Sequence, residues 1–320
     1  MKINKKIVSL ALAGAMVLSS VNVPVFAGGG EDAATSVVVN VTVQLSDTLV
    51  DVKKEMIVSS DAAETHGYTD ACAPGVVSAL DVLVQEHIEM FGEDDLESCL
   101  AVASTGWVQV AFGAYSNVVY AINGAQPHND VLESWGYTSY TVNQAEVNAG
   151  DDVLFFTPQD EEMWSDYITW FALGGKKADS IKVLEGTTVN LSVLGYSYSR
   201  FGSLPQESID SNTEVLSKEI SVENYDILPI NEMGMTYSKD DAGIEVLGTD
   251  ADGEMSIKFN RTGKGMFTFV STDEDYFLTN PVISVEVVSK DVIVDQFGTT
   301  VDKVITDKNK LDEMLDEAVQ

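Results

Sequence analysis

Apolar and polar residues alternate in two neighbouring stretches, residues 36–45 and 49–58, and most of the apolar positions hold a β-branched residue. Asp47 and Thr48 lie between the two stretches. Alternation over so few residues is typical of strands that have one face buried, and a short polar break between two such strands is typical of a turn. The pattern therefore predicts a β-hairpin at the start of the folded part of the chain.

Residues 74–91 have a different spacing, because their apolar side chains recur every three to four positions. The set on one face consists of Val76, Leu80, Leu83, Val84, His87 and Ile88. This spacing predicts a helix that Pro74 opens and that Gly92 and the acidic run at residues 93–97 end. His87 belongs to the apolar face, so we expect it to be a core histidine rather than a base or a ligand.

Strand patterns return after the helix. They occupy residues 107–112, 118–122, 140–142, 153–156 and 168–171, with turns at Asn123-Gly124 and Gly150-Asp151. Two strands, one main helix and further strands predict an α+β domain of the β-grasp type over residues 36–173, with the helix on one face of a mixed sheet and the other face free. A ferredoxin-like arrangement is the alternative, and it would need a second helix.

The second half of the chain contains mainly short strand patterns. Gly174 and Gly175 predict a linker at residues 174–179. Strands are predicted at residues 181–184, 187–193, 217–222, 254–259, 266–270 and 282–288. Such a series of short strands predicts an all-β domain over residues 180–290, an immunoglobulin-like β-sandwich. The acidic residues 291–320 are predicted to form a tail that pairs with a neighbouring molecule.

The first 27 residues have the layout of a secretory signal peptide. Lys2, Lys5 and Lys6 precede an apolar run at residues 7–18, and Val25 and Ala27 occupy the two positions that a signal peptidase reads. The run is too short to span a membrane; a buried N-terminal helix is the alternative. We therefore expect residues 28–35 to be a leader, and the protein to be secreted or held at the cell wall without a covalent bond.

Charge narrows the range of partners. The chain has 18 basic and 51 acidic side chains, a formal net charge of −33. A field of this sign repels nucleic acid and anionic membranes. The expected partners are a cell-surface protein, a glycan or a small molecule, and membrane insertion is not expected.

Three short motifs resemble a known family. They are Tyr120-Ala121-Ile122-Asn123-Gly124, Tyr140-x-Val142 and Ala149-Gly150-Asp151-Asp152-Val153. In this order they resemble the transcobalamin-like C-terminal domain, a β-grasp module of secreted and surface proteins of Gram-positive bacteria. The resemblance covers residues 36–171 and implies a binding or structural module. A cobalamin site would need a helical barrel that this sequence lacks. Residues 180–290 resemble the immunoglobulin-like repeats of bacterial surface proteins at the level of the fold.

Aromatic residues are the main candidates for a ligand site. The chain carries Trp107, Tyr115, Tyr120, Trp135, Tyr137, Tyr140, Trp164, Tyr167 and Trp170 in its first half. We expect the long loop at residues 126–139 to fold over the sheet edge and form a shallow site with the neighbouring strands. The predicted ligand residues are Trp135, Tyr137, His128, Asn129, Tyr120 and Tyr140. Packing between the two domains is the alternative role for these rings.

Two smaller sites follow from residue type and spacing. Cys72 and Cys99 flank the predicted helix, so we expect a disulfide, with two reduced thiols as the alternative. Asp250, Asp252 and Glu254 surround Gly253 at alternate positions, which suits Ca²⁺; a solvated hairpin turn is the alternative. No other cofactor is predicted.

Catalysis finds no support in the sequence. His66, His87 and His128 lie far apart, and no nucleophile motif is present. We therefore predict a non-catalytic binding or adhesion module of the cell surface. The alternative is a structural spacer or assembly subunit of a surface complex without a small ligand.

Overall fold

The computed structural model describes residues 34–113, 115–128, 139–160, 165–198 and 203–289. The predicted signal peptide and the C-terminal tail lie outside these residues. The strands are β1 Ser36–Leu45, β2 Thr48–Ser59, β3 Ala101–Val102, β4 Val108–Val110, β5 Val119–Ile122, β6 Asp152–Thr157, β7 Tyr167–Leu173, β8 Lys176–Lys177, β9 Ser180–Leu184, β10 Thr187–Ser197, β11 Glu214–Val215, β12 Tyr225–Ile230, β13 Ile244–Thr249, β14 Met255–Phe259, β15 Gly263–Ser271 and β16 Val282–Val288. The helices are α1 Ala62–Thr65, α2 Ala79–Phe91, α3 Leu96–Cys99, α4 Gln206–Asn212, α5 Leu216–Glu219 and α6 Lys239–Ala242.

The first half contains a four-stranded sheet in the order β2-β1-β6-β5. β1 and β2 form the predicted antiparallel hairpin, β1 pairs with β6 in parallel, and β5 pairs with β6 antiparallel. The alternating positions Val39, Val41 and Val43 of β1 are buried. Their side chains share a core with α2, which explains why the period of two was visible in the sequence.

Helix α2 covers one face of this sheet, as its apolar positions predict. Leu80, Leu83 and Val84 are fully buried in the same core as the valines of β1. The helix begins at Ala79 and not at Pro74. Ser78 caps it, since its side chain accepts a hydrogen bond from the Asp81 backbone and the Asp81 side chain accepts one from the Ser78 backbone. This reciprocal capping stabilises the first turn and fixes the start.

The second half consists of two sheets that pack face to face. One has the order β13-β14-β10-β7-β8, with β11 added to β10, and the other has the order β12-β15-β16-β9. Leu191 and Ile257 of the first sheet share a core with Phe269 and Ile283 of the second. The described chain is therefore mostly β-structure, arranged in several sheets.

One strand of the predicted first domain pairs across the predicted boundary between the halves. β7, which was assigned to the first domain, pairs antiparallel with β10 in the second half. Gly174 and Gly175 form the turn of the β7–β8 hairpin and have φ angles of 56° and 77°. The Gly-Gly pair predicted a linker, but glycine also adopts the left-handed φ that a tight hairpin turn requires.

Three further predictions of elements need correction. Residues 217–222 were expected to be a strand, but helix α5 occupies Leu216–Glu219. Strands β12 and β13 were not predicted. Residues 140–142 are not a strand; Thr141 starts a turn in which its hydroxyl lies 2.8 Å from Asn143 Oδ1 and its carbonyl accepts the Ala145 N–H. Local hydrogen bonds of this kind compete with strand pairing.

The sheet face opposite α2 is covered and not free. Val119, Ala121 and Phe156 of the first half pack against Ile168 and Tyr196 of the second. A second apolar contact joins Leu49 and Val52 of β2 to Ile230. Buried Gln44 adds a polar link, because its amide donates to Leu278 O at 2.9 Å and accepts the Asn280 N–H at 2.7 Å. The halves are thus joined by apolar packing and by a satisfied hydrogen-bond bridge.

Candidate functional site

A cleft of about 350 Å³ lies at the junction of the two halves. The turn after β5 contributes Asn123 and Gly124, and the β7–β8 hairpin contributes Trp170 and Lys177. Helix α4 closes the opposite side with Gln206, Ile209 and Asp210. Small-molecule sites are commonly concave, of a few hundred Å³ and located where domains meet, so this cleft is the candidate site.

Trp170 provides the aromatic surface of the cleft. It lies on β7 opposite Leu194 of β10, on the same face as Ile168, and its ring centroid is 6.3 Å from that of Tyr196. Ile168 and Tyr196 are buried at the junction, whereas Trp170 is half-buried. The indole is therefore fixed on its inner side by packing, and its remaining surface is open to the cleft.

Polar side chains surround the indole and are held in place by one another. Lys177 Nζ donates to the carbonyl of Asn123 at 3.1 Å, and Gln206 Nε2 donates to Asp210 Oδ1 at 2.8 Å. Asn123 is itself fixed, because its amide donates to the Asp151 carboxylate at 2.8 Å and accepts the Asp152 N–H at 3.0 Å. An aromatic ring bordered by ordered donors and acceptors can stack on an apolar ligand face and hydrogen-bond its hydroxyl groups.

Three of the six predicted ligand residues, Trp135, Tyr137 and Asn129, lie outside the described residues. The other three, Tyr120, His128 and Tyr140, do not line the cleft. Tyr120 is 4% exposed and its hydroxyl donates to the carbonyl of Tyr140 at 2.7 Å, so it packs under α2 and is unavailable to a ligand. Burial raises the pKa of the Tyr120 phenol well above its usual range.

His128 connects the two halves. Its Nδ1 lies 3.0 Å from both the carbonyl and the hydroxyl oxygen of Ser203. The residue next to it, Pro127, accepts the Tyr140 N–H at 3.2 Å. The start and the end of the long loop are therefore positioned by backbone pairing and by contact with the second half.

The sequence contained Trp170 among the candidate aromatics but gave no reason to prefer it. Its polar neighbours Lys177, Gln206 and Asp210 come from segments separated along the chain. Only the pairing of β7 with β10 brings them together. The one indication in the sequence was that Trp170 lies two positions after Ile168 in a predicted strand, and therefore on the same face.

The calcium site is not formed. Asp250 Oδ1 accepts the backbone N–H groups of Asp252 at 2.9 Å and Glu254 at 3.0 Å. This carboxylate therefore closes a turn before β14, which is the alternative that the sequence left open. Over the described ranges, no group of three or more His, Cys, Asp or Glu side chains is arranged to hold a metal ion.

The predicted disulfide is also wrong, since Cys72 and Cys99 are both free thiols. The Cys72 N–H donates to Asp70 Oδ1 at 2.9 Å, and the Cys99 carbonyl accepts the Gly113 N–H at 3.1 Å. Burial, followed by the nearby Asp70 carboxylate, raises the pKa of Cys72 to about 12, so its thiol is unreactive at neutral pH.

His87 is a satisfied core residue, as its position on the apolar face predicted. Its Nδ1 donates to the Leu83 carbonyl and its Nε2 accepts the Phe112 N–H, both at 2.7 Å. The ring stacks on Phe112 at a centroid distance of 4.4 Å. Burial lowers the pKa of His87 to about 4, so the ring is neutral at pH 7 and both nitrogens are engaged inside the protein.

No protein-family model matches the chain, and no curated protein sequence does either. Among solved structures, the chain is weakly similar to protocadherin gamma B2 extracellular cadherin domains 1–5, with 8% identity and a TM-score of 0.19 over 81% of this chain and 40% of that one. A structure of PcdhgB3 EC1–4 gives 6% identity and a TM-score of 0.19 over 81% of this chain and 50% of the other. The chain thus spans half or less of those proteins. None of the helices in the described ranges is long and apolar enough to cross a bilayer.

A second surface lies in the second half, on the turn between β12 and α6. Met233, Met235 and Tyr237 are 63%, 55% and 40% exposed and form what we call the methionine surface. Asn231 Oδ1 accepts the N–H groups of both methionines at 3.0 Å, and Val52 of β2 donates to Glu232 O at 2.9 Å. The turn is therefore held rigidly beside a groove of about 540 Å³.

Proposed function

We propose that this chain is a secreted, non-catalytic binding module of the cell surface and that it recognises a glycan or a similar small polyhydroxylated molecule in the junction cleft. The observation that carries the proposal is the half-buried indole of Trp170 between Lys177, Gln206 and Asp210. Sugar rings have an apolar face that stacks on indole and hydroxyl groups that need alternating donors and acceptors. A neutral sugar also avoids the repulsion that a chain with net charge −33 imposes on anions.

The architecture supports this proposal. A β-grasp assignment for the first half is supported by a hairpin, a covering helix and a parallel pairing of the first and last strands of the sheet. An immunoglobulin-like assignment for the second half is supported by two facing sheets in which β9 pairs in parallel with the last strand, β16. The transcobalamin-like relationship remains part of the proposal. Its hairpin turn at Asn123-Gly124 forms one wall of the cleft.

The proposal is tested by replacing the aromatic surface. Trp170→Ala is expected to weaken glycan binding at least tenfold, because a stacking contact of that size is worth about 1.4 kcal/mol. Binding would be screened on a glycan array and measured by calorimetry. Trp107→Ala is the matched control: Trp107 is 52% exposed and does not line the cleft. Absence of glycan binding by the unaltered protein, or an equal loss in both variants, contradicts the proposal.

The methionine surface supports the second candidate function, an assembly subunit without a small ligand. Methionine side chains adapt to a partner, and three exposed apolar residues on one rigid turn are an unusual feature of a surface. For this function, we expect concentration-dependent self-association in sedimentation velocity that the double substitution Met233→Ser and Met235→Ser abolishes. Leu247→Ser is the control, since Leu247 is 52% exposed on the edge strand β13. A monomer at all concentrations counts against this function.

A further inference from the structure

A β-bulge in β2 lies between helix α2 and the second half. Asp51 pairs with Val43 of β1 and Lys54 pairs with Val41, so β2 has one residue more than β1 between the two pairs. Both valines belong to the core under α2, and paired residues share a face of the sheet. Asp51 and Lys54 therefore both lie on the α2 side of the sheet.

The two residues inside the bulge contact the second half. Val52 is fully buried in an apolar cluster with Ile230, and its N–H donates to Glu232 O at 2.9 Å. Lys53 Nζ lies 3.6 Å from the Asp179 carboxylate. Lys53 has a φ of 46°, a conformation that a residue with a side chain keeps only where its surroundings hold it. We call these links the β2 contact.

Glu86 of α2 faces the bulge from the helix side. It is fully buried, its Oε2 lies 3.3 Å from Lys54 Nζ, and its Oε1 has no hydrogen-bond partner among the described residues. Asp51 is close enough to hydrogen-bond with Glu86, but two carboxylates need a proton between them for that bond. Burial, followed by this neighbouring carboxylate, raises the pKa of Glu86 to about 8. At neutral pH the buried acid therefore carries a proton that it can donate to Asp51.

The charged groups around Glu86 come from two elements. β2 supplies Asp51 and Lys54, whose charged atoms are 3.4 Å apart, and α2 itself supplies Glu89, at 3.1 Å from Lys54 Nζ. The β1 residues that pair with Asp51 and Lys54 are valines. With the proton on Glu86, one ammonium group faces two carboxylates. Without the proton, the same ammonium group faces three, one of which is removed from water.

We propose that the proton on Glu86 controls the β2 contact and makes it a pH-sensitive link between the two halves. When the proton leaves, the Glu86 carboxylate repels Asp51, whose side chain is 18% exposed and moves toward solvent. Asp51 adjoins the bulge, so this movement withdraws the Val52 N–H from Glu232 O and releases the left-handed backbone of Lys53. The apolar junction on the same sheet remains packed. The inference holds whether or not the junction cleft binds a glycan.

NMR spectra of the full chain between pH 6 and pH 9 test the proposal. We expect the Val52 amide proton to shift upfield as its hydrogen bond is lost, with a midpoint near pH 8. Ile257 of β14 is the internal reference, because it is fully buried in the core of the second half. Its amide signal is expected to stay in place, which shows that the protein remains folded.

Three variants assign the titrating group. Glu86→Gln is expected to abolish the shift of the Val52 signal, because the amide cannot ionise. Asp51→Asn is expected to abolish it as well, because the repelled carboxylate is absent; this variant changes a partly exposed residue and tests the proposal even if Glu86→Gln does not fold. Glu89→Gln is the matched control and keeps the shift, since the repulsion between Glu86 and Asp51 remains.

Three results overturn the proposal. They are a Val52 signal that does not titrate in the unaltered chain, a titration that persists in Glu86→Gln or Asp51→Asn, and a movement of the Val52 and Ile257 signals together. Trp170→Ala leaves the titration unchanged, so failure here is distinguishable from failure of glycan binding.

Discussion

Glu86 has the most unusual environment of any single side chain described. It is fully buried, its Oε2 lies 3.3 Å from Lys54 Nζ, and its Oε1 has no hydrogen-bond partner among the described residues. Lys54 also contacts Asp51 and Glu89. Burial, together with the nearby Asp51 carboxylate, raises the pKa of Glu86 to about 8 from its usual 4.5. Ionisation of Glu86 therefore destabilises the folded protein.

This environment predicts a pH-dependent effect of Glu86→Gln. The folded protein holds a proton on Glu86 that the unfolded chain releases above pH 4.5, so the contribution of Glu86 to stability is full below that pH and falls as pH rises toward 8. The amide of Gln stays neutral. We expect the free energy of unfolding of Glu86→Gln, relative to that of the unaltered protein, to increase by roughly 3–4 kcal/mol from pH 5 to pH 8. Urea unfolding at the two pH values measures the difference.

Glu89→Gln is the matched control for this prediction. Glu89 contacts the same lysine at 3.1 Å, but its side chain is 35% exposed. Exposed ion pairs contribute little to stability. We therefore expect Glu89→Gln to change the free energy of unfolding by nearly the same amount at pH 5 and at pH 8. A Glu86→Gln variant with no dependence on pH would show that Glu86 is ionised in the folded protein.

At the scale of elements, the start of α2 shows how a capping residue overrides a periodic pattern. Apolar spacing predicted that the helix starts at Pro74, but the cap formed by Ser78 and Asp81 makes it start five residues later, at Ala79. The Asp81 carboxylate also accepts the Ala63 N–H at 2.8 Å, which ties α1 to the first turn of α2. Asp81 therefore caps α2 and also links that helix to α1.

Ser78→Ala is expected to destabilise the protein by about 1–2 kcal/mol, because the Asp81 N–H loses its acceptor in a fully buried position. Thermal unfolding measures the change. Ser238→Ala is the comparison: Ser238 caps the four-residue helix α6 in an exposed position, so we expect less than about 0.5 kcal/mol. Equal effects would mean that burial does not contribute to the cost.

At the scale of the whole molecule, neighbouring side chains of β6 belong to different cores. Phe155 packs under α2, whereas Phe156 packs against the second half and meets Tyr198 edge-on at a centroid distance of 5.9 Å. Both phenylalanines are fully buried. One strand therefore connects the helix-covered core with the junction core.

Phe156→Ala and Phe155→Ala form a matched pair that tests this division. Each is expected to cost about 3–5 kcal/mol, the usual effect of truncating a buried aromatic residue. Hydrogen exchange locates the damage. We expect Phe156→Ala to increase exchange in β7 and β10, and Phe155→Ala to increase it in α2. The same exchange pattern in both variants would show that the two cores behave as one unit.

The sequence by itself determined the elements whose cause is local. The β1–β2 hairpin, the end of α2 at Gly92, the Asn123-Gly124 turn and strand β16 follow from alternation, helical spacing and backbone preference within a few residues. The core role of His87 was predictable for the same reason, since its position on the apolar face of α2 is a local property.

Only the tertiary structure decided how these elements are combined. The pairing of β7 with β10 moved a strand from one half to the other, covered the sheet face that was expected to be free and formed the cleft around Trp170. Cys72 and Cys99 flank α2 in the sequence, but both are free thiols in the folded protein. Strand partners and covered faces depend on contacts between distant segments, and side-chain periodicity carries no information on which of several apolar faces will meet.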